Sequence, residues 1–226
     1  MIRKLSLLLL AVLFLTCTPL FADGFDQTVS FTNSTNALNN QGFSISPYVG
    51  TLNGQAADFF CVDFSHNFGF SQGQTISWNA LATPIANSSS FAGTLQYSLD
   101  GNSTATAYNN YLEMSWLIRQ LVGNLNNNDL NSATNDQLAI WTFTGLDTST
   151  LSPTQAAAIG TLLTDAASAA QGSQVSVAGY EVLTPDYSDF PYSQEMIVIS
   201  TPEPGTILLL LAGIASALLL GLLRKL

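Results

Sequence analysis

Positive charge is almost absent from this chain. Four of its five Lys and Arg residues (Arg3, Lys4, Arg224, Lys225) lie at the ends, leaving Arg119 alone against fifteen Asp and Glu between positions 23 and 203, a formal charge of −14. A body of that sign repels phosphates, which excludes nucleic acid as a partner. Charged residues make up only 9% of the chain, yet 47% is hydrophobic, enough for a core rather than a disordered chain. Cysteine is scarce as well: Cys17 and Cys61 make no disulfide framework, and a domain of this length needs none. His66 is the only histidine, five residues after Cys61, so a Cys-His hydrolase would have to draw its base from the nucleophile's own segment. No enzyme is expected. Asp58 and Asp63 are possible Ca²⁺ ligands, but no EF-hand spacing supports them, and neither metal nor cofactor is expected.

Long apolar runs occur only at the two ends. Met1-Ile2-Arg3-Lys4 precedes an apolar stretch over 5–15, the pattern of a secretory signal peptide, with Leu20 and Ala22 at the positions a signal peptidase reads. A lipidated Cys17 would want a small residue before it, which Phe14-Leu15-Thr16 does not supply. Residues 1–22 are therefore expected to be removed. At the other end, residues 207–223 are small or apolar, at the short limit of a membrane-spanning helix, and Arg224-Lys225 would hold that end in the cytoplasm. Pro202-Glu203-Pro204, the apolar span and the basic pair Arg224 and Lys225 together resemble the PEP-CTERM sorting signal. The resemblance implies an exosortase-type membrane transpeptidase as partner. It also implies inner-membrane anchoring by the C-terminal helix with the body outside the cytoplasm, then transfer to the cell surface or extracellular matrix. The tail is residues 201–226 and the ectodomain residues 23–200.

The ectodomain reads as β-rich. Segments 27–31, 43–49, 58–64, 75–78, 175–182 and 195–200 are aromatic or β-branched and bounded by Gly, Asn or Pro, as strands are. Residues 98–102 and 124–128 read as loops. Helical periodicity runs over 106–121. A second helix starts at Ser152-Pro153-Thr154-Gln155, an N-cap with Pro at the first helical position and Gln at the third, and stops at Gly172. The expected fold is a mixed, β-rich α+β domain: a single sandwich- or barrel-like ectodomain with two inserted helices, plus the C-terminal transmembrane helix.

With Cys17 removed, Cys61 is an odd cysteine in an exported protein, set in the apolar run Asp58-Phe59-Phe60-Cys61-Val62-Asp63-Phe64. Taken alone it reads as a buried, inert thiol. Gln137, in Asp136-Gln137-Leu138-Ala139-Ile140-Trp141, is a carboxamide beside an apolar run. Thr134 and Gln137 would suit a capping box, a structural use of that Gln. An aromatic-Cys-apolar strand followed by Gln-x-Ala-Ile-Trp resembles the thioester domain of bacterial surface adhesins, over about residues 40–145. The resemblance implies that the Cys61 thiol and the Gln137 carboxamide condense with loss of ammonia. It implies further that an amine-bearing surface partner, such as a lysine, later opens the bond in a single-use covalent attachment. Phe59, Phe60 and Trp141 are the aromatics placed to shield it from water. Where the family commonly has Thr before this Gln, the chain has Asp136, and a carboxylate there is expected to disfavour the thiolate. A non-reactive structural protein of the matrix or envelope on the same fold is the alternative.

Overall fold

A computed structural model describes residues 25–32, 38–66, 74–86, 90–188, 193–199 and Gly213. The expected signal peptide lies outside the described residues, as does the sorting tail apart from Gly213. Among the described residues, no helix is long and apolar enough to cross a membrane.

Six strands close a barrel. Around its circumference run β1 (Gln27–Thr32), β4 (Tyr48–Leu52), β5 (Gln55–Cys61), β8 (Met196–Ile199), β7 (Tyr180–Pro185) and β6 (Thr75–Pro84), with β6 returning to β1 and every pair antiparallel. Closure leaves no unpaired sheet edge. Alternation fills the interior: Val29 and Phe31 of β1 and Ile76, Trp78 and Ala80 of β6 are buried, with more exposed neighbours between them. The Phe31 ring meets Phe59 edge-on at 4.6 Å and Trp78 at 5.3 Å. Gly50 faces Phe31 across the β1–β4 pair, where an added Cβ would collide with that ring and with Ser30 O. The β4–β5 hairpin turns on Asn53-Gly54, both at positive φ, as a tight two-residue turn requires.

The remaining strands, β2 (Leu38–Asn40) and β3 (Phe43–Ile45), form a separate hairpin. Four α-helices fall between β6 and β7: α1 (Leu95–Leu99), α2 (Thr104–Asn126), α3 (Leu130–Thr142) and α4 (Pro153–Gln171). Helices α2, α3 and α4 pack on one another, and the β2–β3 hairpin lies on α3. The C-terminal end of β5 is buried on both faces, at Phe59, Phe60 and Cys61.

The expected mixed α+β domain is present, with a closed barrel and four helices where two were expected; because the β6–β7 connection is largely helical, helix outweighs strand and the expected β-rich balance is corrected. The start and stop of α4 match the sequence reading, since Ser152 Oγ accepts from Gln155 N–H and Gly172 caps the end. Helix α2 extends through most of 124–128, because Asn124 stays helical to reach Asp136. Helix α3 is capped by Asp129, whose carboxylate accepts from Ser132 N–H, so Thr134 and Gln137 lie inside the helix and form no capping box. Segment 43–49 is two strands in different sheets, broken at Ser46-Pro47, where Pro47 has no N–H to give and Ser46 N–H is used elsewhere. Strand β5 stops at Cys61 rather than at position 64, because the Asp63 carboxylate turns the chain by accepting from Ser65 N–H and His66 N–H. In place of 175–182, β7 starts at Tyr180, after Gly179 at positive φ.

Candidate functional site

Cys61 and Gln137 are 76 residues apart in sequence and in direct contact. Strand β5 ends at Cys61, and α3 presents Gln137 to it; both residues are fully buried. The Gln137 carboxamide is fixed at both ends by backbone. Its Nε2 donates to Cys61 O at 3.0 Å, and its Oε1 accepts from Ser46 N–H at 3.1 Å. Ser46 also accepts the Cys61 N–H on its hydroxyl at 3.0 Å, so one residue clamps both partners. Ser46 is held there because the β2–β3 hairpin is bonded to α3. Asn40 Nδ2 donates to Leu130 O, Asn131 Oδ1 and Thr134 Oγ1, and Gln41 donates to Asn131 and accepts from Gln155 of α4.

The Cys61 thiol reaches Asp63 O at 3.4 Å and Gln194 Oε1 at 3.5 Å. It is a free cysteine, and burial pushes it up to about 12; hydrogen bonding from the Asp63 backbone and the Trp141 indole N–H lower it, while the Asp63 carboxylate adds to the rise. The Trp141 contact falls short of hydrogen-bond geometry. Among the described residues its buried N–H has no hydrogen-bond acceptor, an unfilled donor facing the sulfur. Asp136, one residue from Gln137, points elsewhere: it accepts from Asn124 of α2, and burial raises it to about 6. Successive helical residues diverge by about 100°, so this carboxylate is turned away from the thiol, and it is not among the groups that shift Cys61. The expectation that it burdens the thiolate is corrected accordingly.

The aromatics are distributed unevenly. Phe59 shares a strand face with Cys61 and packs on Phe31 inside the barrel, and Phe60 takes the opposite face. Trp141 lies against the sulfur and is flanked by Phe64 at 5.6 Å and Phe43 at 6.3 Å. Phe64, 37% exposed, is the outermost of these rings. On the other side of Cys61, Asp63 is fully buried and accepts from His66 Nδ1 at 2.7 Å, Ser65 Oγ at 2.6 Å and Tyr187 OH at 3.1 Å. Next to it is Glu195, also fully buried. It accepts from Tyr111 OH at 2.5 Å, Thr184 Oγ1 at 2.7 Å and Leu95 N–H at 2.8 Å. Burial raises Glu195 to about 7; the three donors lower it and Asp63 raises it further.

Sequence reasoning singled out Cys61, Gln137 and Trp141 but missed Ser46, Gln194, Phe43 and Phe64. Ser46 alone left a signal, a Ser-Pro step inside a strand-like run. His66 pairs with Asp63 and makes no hydrogen bond to the thiol. Pro202, Glu203, Pro204, Arg224 and Lys225 lie outside the described residues.

No family model and no curated protein matches this chain. Among solved structures it is similar to the N-terminal thioester domain of fibronectin-binding protein SfbI from Streptococcus pyogenes, at 13% identity and a TM-score of 0.43, over 77% of this chain and 94% of that one. At that level the likeness carries no residue roles across.

Proposed function

We propose that this chain is an exported surface protein whose barrel domain forms an internal thioester between Cys61 and Gln137 and uses it to attach covalently to an amine-bearing partner. The observation that carries the reading is the buried Gln137 carboxamide held against Cys61, with its carbonyl oxygen on the Ser46 N–H. That donor draws electron density from the amide carbon and holds the oxyanion when sulfur adds. The sulfur then bonds to Gln137 Cδ, the C–N bond breaks, and the nitrogen leaves as ammonia with the thiol proton. Holding the carboxamide against the residue that bears the thiol supplies the effective concentration that makes an amide react with a thiol without an enzyme. The unfilled Trp141 N–H offers a donor to the product sulfur, and the Phe43, Trp141 and Phe64 rings cover it on one side.

A lysine amine opening the bond becomes an amide of Gln137 and releases Cys61. The acidic body favours such basic partners. Residues 1–22 carry the chain out, and Pro202-Glu203-Pro204 with the following apolar span hands it to an exosortase-type transpeptidase at the inner membrane. Labelling the full-length chain with a fluorescent primary amine tests the chemistry: a label that survives denaturation and is lost in both C61A and Q137A supports it. The same hydrogen bonds would also serve as a plain brace between α3 and β5. That reading, a non-reactive matrix or envelope protein, predicts no label in any form and only reduced stability in the variants. Replacing Pro202 and Pro204 by Ala in the native cell tests sorting; an unchanged surface population contradicts it.

A further inference from the structure

The chain's only histidine is built into a side-chain cluster that touches the sulfur and that the bond itself does not need. His66 Nδ1 faces Asp63 Oδ2 at 2.7 Å and Ser65 Oγ at 3.1 Å. The Ser65 hydroxyl proton is already committed to Asp63 Oδ1 at 2.6 Å, so Nδ1 must be the donor to both oxygens. In the neutral ring the other nitrogen, Nε2, is then the lone-pair bearer, and it has no hydrogen bond among the described residues. Tyr187 stacks on the ring, centroids 4.6 Å apart, and donates to the same Asp63 oxygen. Gln194 ties the group to the reactive residue: its Nε2 donates to Asp63 O and His66 O while its Oε1 lies 3.5 Å from Cys61 Sγ. The imidazole is 31% exposed beside a fully buried carboxylate, a ring that meets solvent on one side and a fixed partner on the other.

We infer that His66 is the proton acceptor for the amine that opens the Cys61–Gln137 thioester, with Asp63 as the residue that positions it. This rests on the thioester reading above. The amine nitrogen bonds to Gln137 Cδ and the C–S bond breaks. The proton lost from nitrogen passes to His66 Nε2 and from there to the departing sulfur, leaving an amide and the Cys61 thiol. The buried sulfur is a poor thiolate, so its expulsion needs a proton delivered as the bond breaks. Among the described residues, the groups facing His66 are Asp63 and Ser65 from its own segment, Tyr187 from beyond β7, and Gln194 ahead of β8; Glu195 lies behind Asp63.

The test follows mass gain with semicarbazide, a weakly basic amine that carries no proton of its own over the range used, on the full-length chain. In the wild type the rate rises with pH, as a reaction that needs an unprotonated base does. H66Q keeps the starting mass one ammonia short, loses that rise and reacts about 100-fold more slowly at pH 8; D63N, which leaves the ring unheld, falls between the two. A flat wild-type profile overturns the proposal without any variant. So does an H66Q rate and profile matching wild type, or a rise that survives in H66Q and disappears in E195Q. A wild-type starting mass equal to the plain sequence refutes the thioester reading itself, and is seen before any amine is added.

Discussion

Replacing Glu195 by Gln should remove a pH dependence of stability whose sign is opposite to ordinary acid denaturation. Glu195 joins the helices to the barrel, accepting from Tyr111 of α2, from Leu95 N–H at the start of α1 and from Thr184 of β7. Burial and the Asp63 charge raise it from 4.5 to about 7. A carboxyl raised on folding keeps its proton in the native state where the unfolded chain has already lost it. The native state thus binds more protons between about 4.5 and 7, and stability falls as pH rises across that window. The shift corresponds to about 3 kcal/mol, present below the unfolded value and lost once pH exceeds the folded one. For a domain of this size that is a drop of about 10 °C in Tm. E195Q is neutral at every pH and keeps one acceptor oxygen for Leu95 and Thr184, while the Tyr111 hydroxyl can turn to accept from its amide. Thermal unfolding by circular dichroism at half-unit steps from pH 4.5 to 8.5 gives the wild-type Tm relative to E195Q. That difference should fall by roughly 10 °C as pH rises. A difference that is constant with pH, or that grows in favour of wild type, refutes the reasoning.

Gln137→Glu keeps the acceptor for Ser46 N–H but sets a carboxylate oxygen against Cys61 O, so urea denaturation should show a loss of about 2 kcal/mol or more at pH 8 that recovers as the group is protonated. Asp136 has one buried oxygen without a hydrogen bond and is raised to about 6, so wild-type stability falls as pH climbs through that value. D136N should flatten this and gain about 2 kcal/mol at pH 8 in the same assay. With the thioester opened by methylamine, Cys61 should react with iodoacetamide about a thousandfold more slowly than a free cysteine at pH 8, because burial pushes its thiol up to about 12, and at the ordinary rate once the chain is unfolded.

The parts of this fold that were legible in sequence are those set by local chemistry. Helix α4 announces itself through Ser152, Pro153 and Gly172, each acting within a turn of the helix end. Helix α3 does not, because its first turns are Asn- and Thr-rich and those side chains are consumed by the β2–β3 hairpin, a partner about 90 residues away. The break at Ser46-Pro47 looked like strand because its cause is tertiary: the Ser46 N–H goes to Gln137. At the site, Cys61 and Gln137 stood out as an unpaired thiol and a carboxamide in apolar surroundings. Ser46 and Gln194 are ordinary polar residues until folding brings them from 15 and 133 positions away to Cys61. Asp136 was misjudged because adjacency in sequence was read as adjacency in space, which a helix does not preserve.

The central claim is the bond between Cys61 and Gln137, and intact mass on the full-length chain, extracted in mild detergent, reads it directly. The account predicts a mass one ammonia below that of the processed sequence, which rises by one methylamine on treatment, with the gain mapped to Gln137 and with Cys61 alkylated on unfolding only after that treatment. A mass equal to the plain sequence, unmoved by methylamine and with Cys61 alkylated once the chain is unfolded, would contradict it.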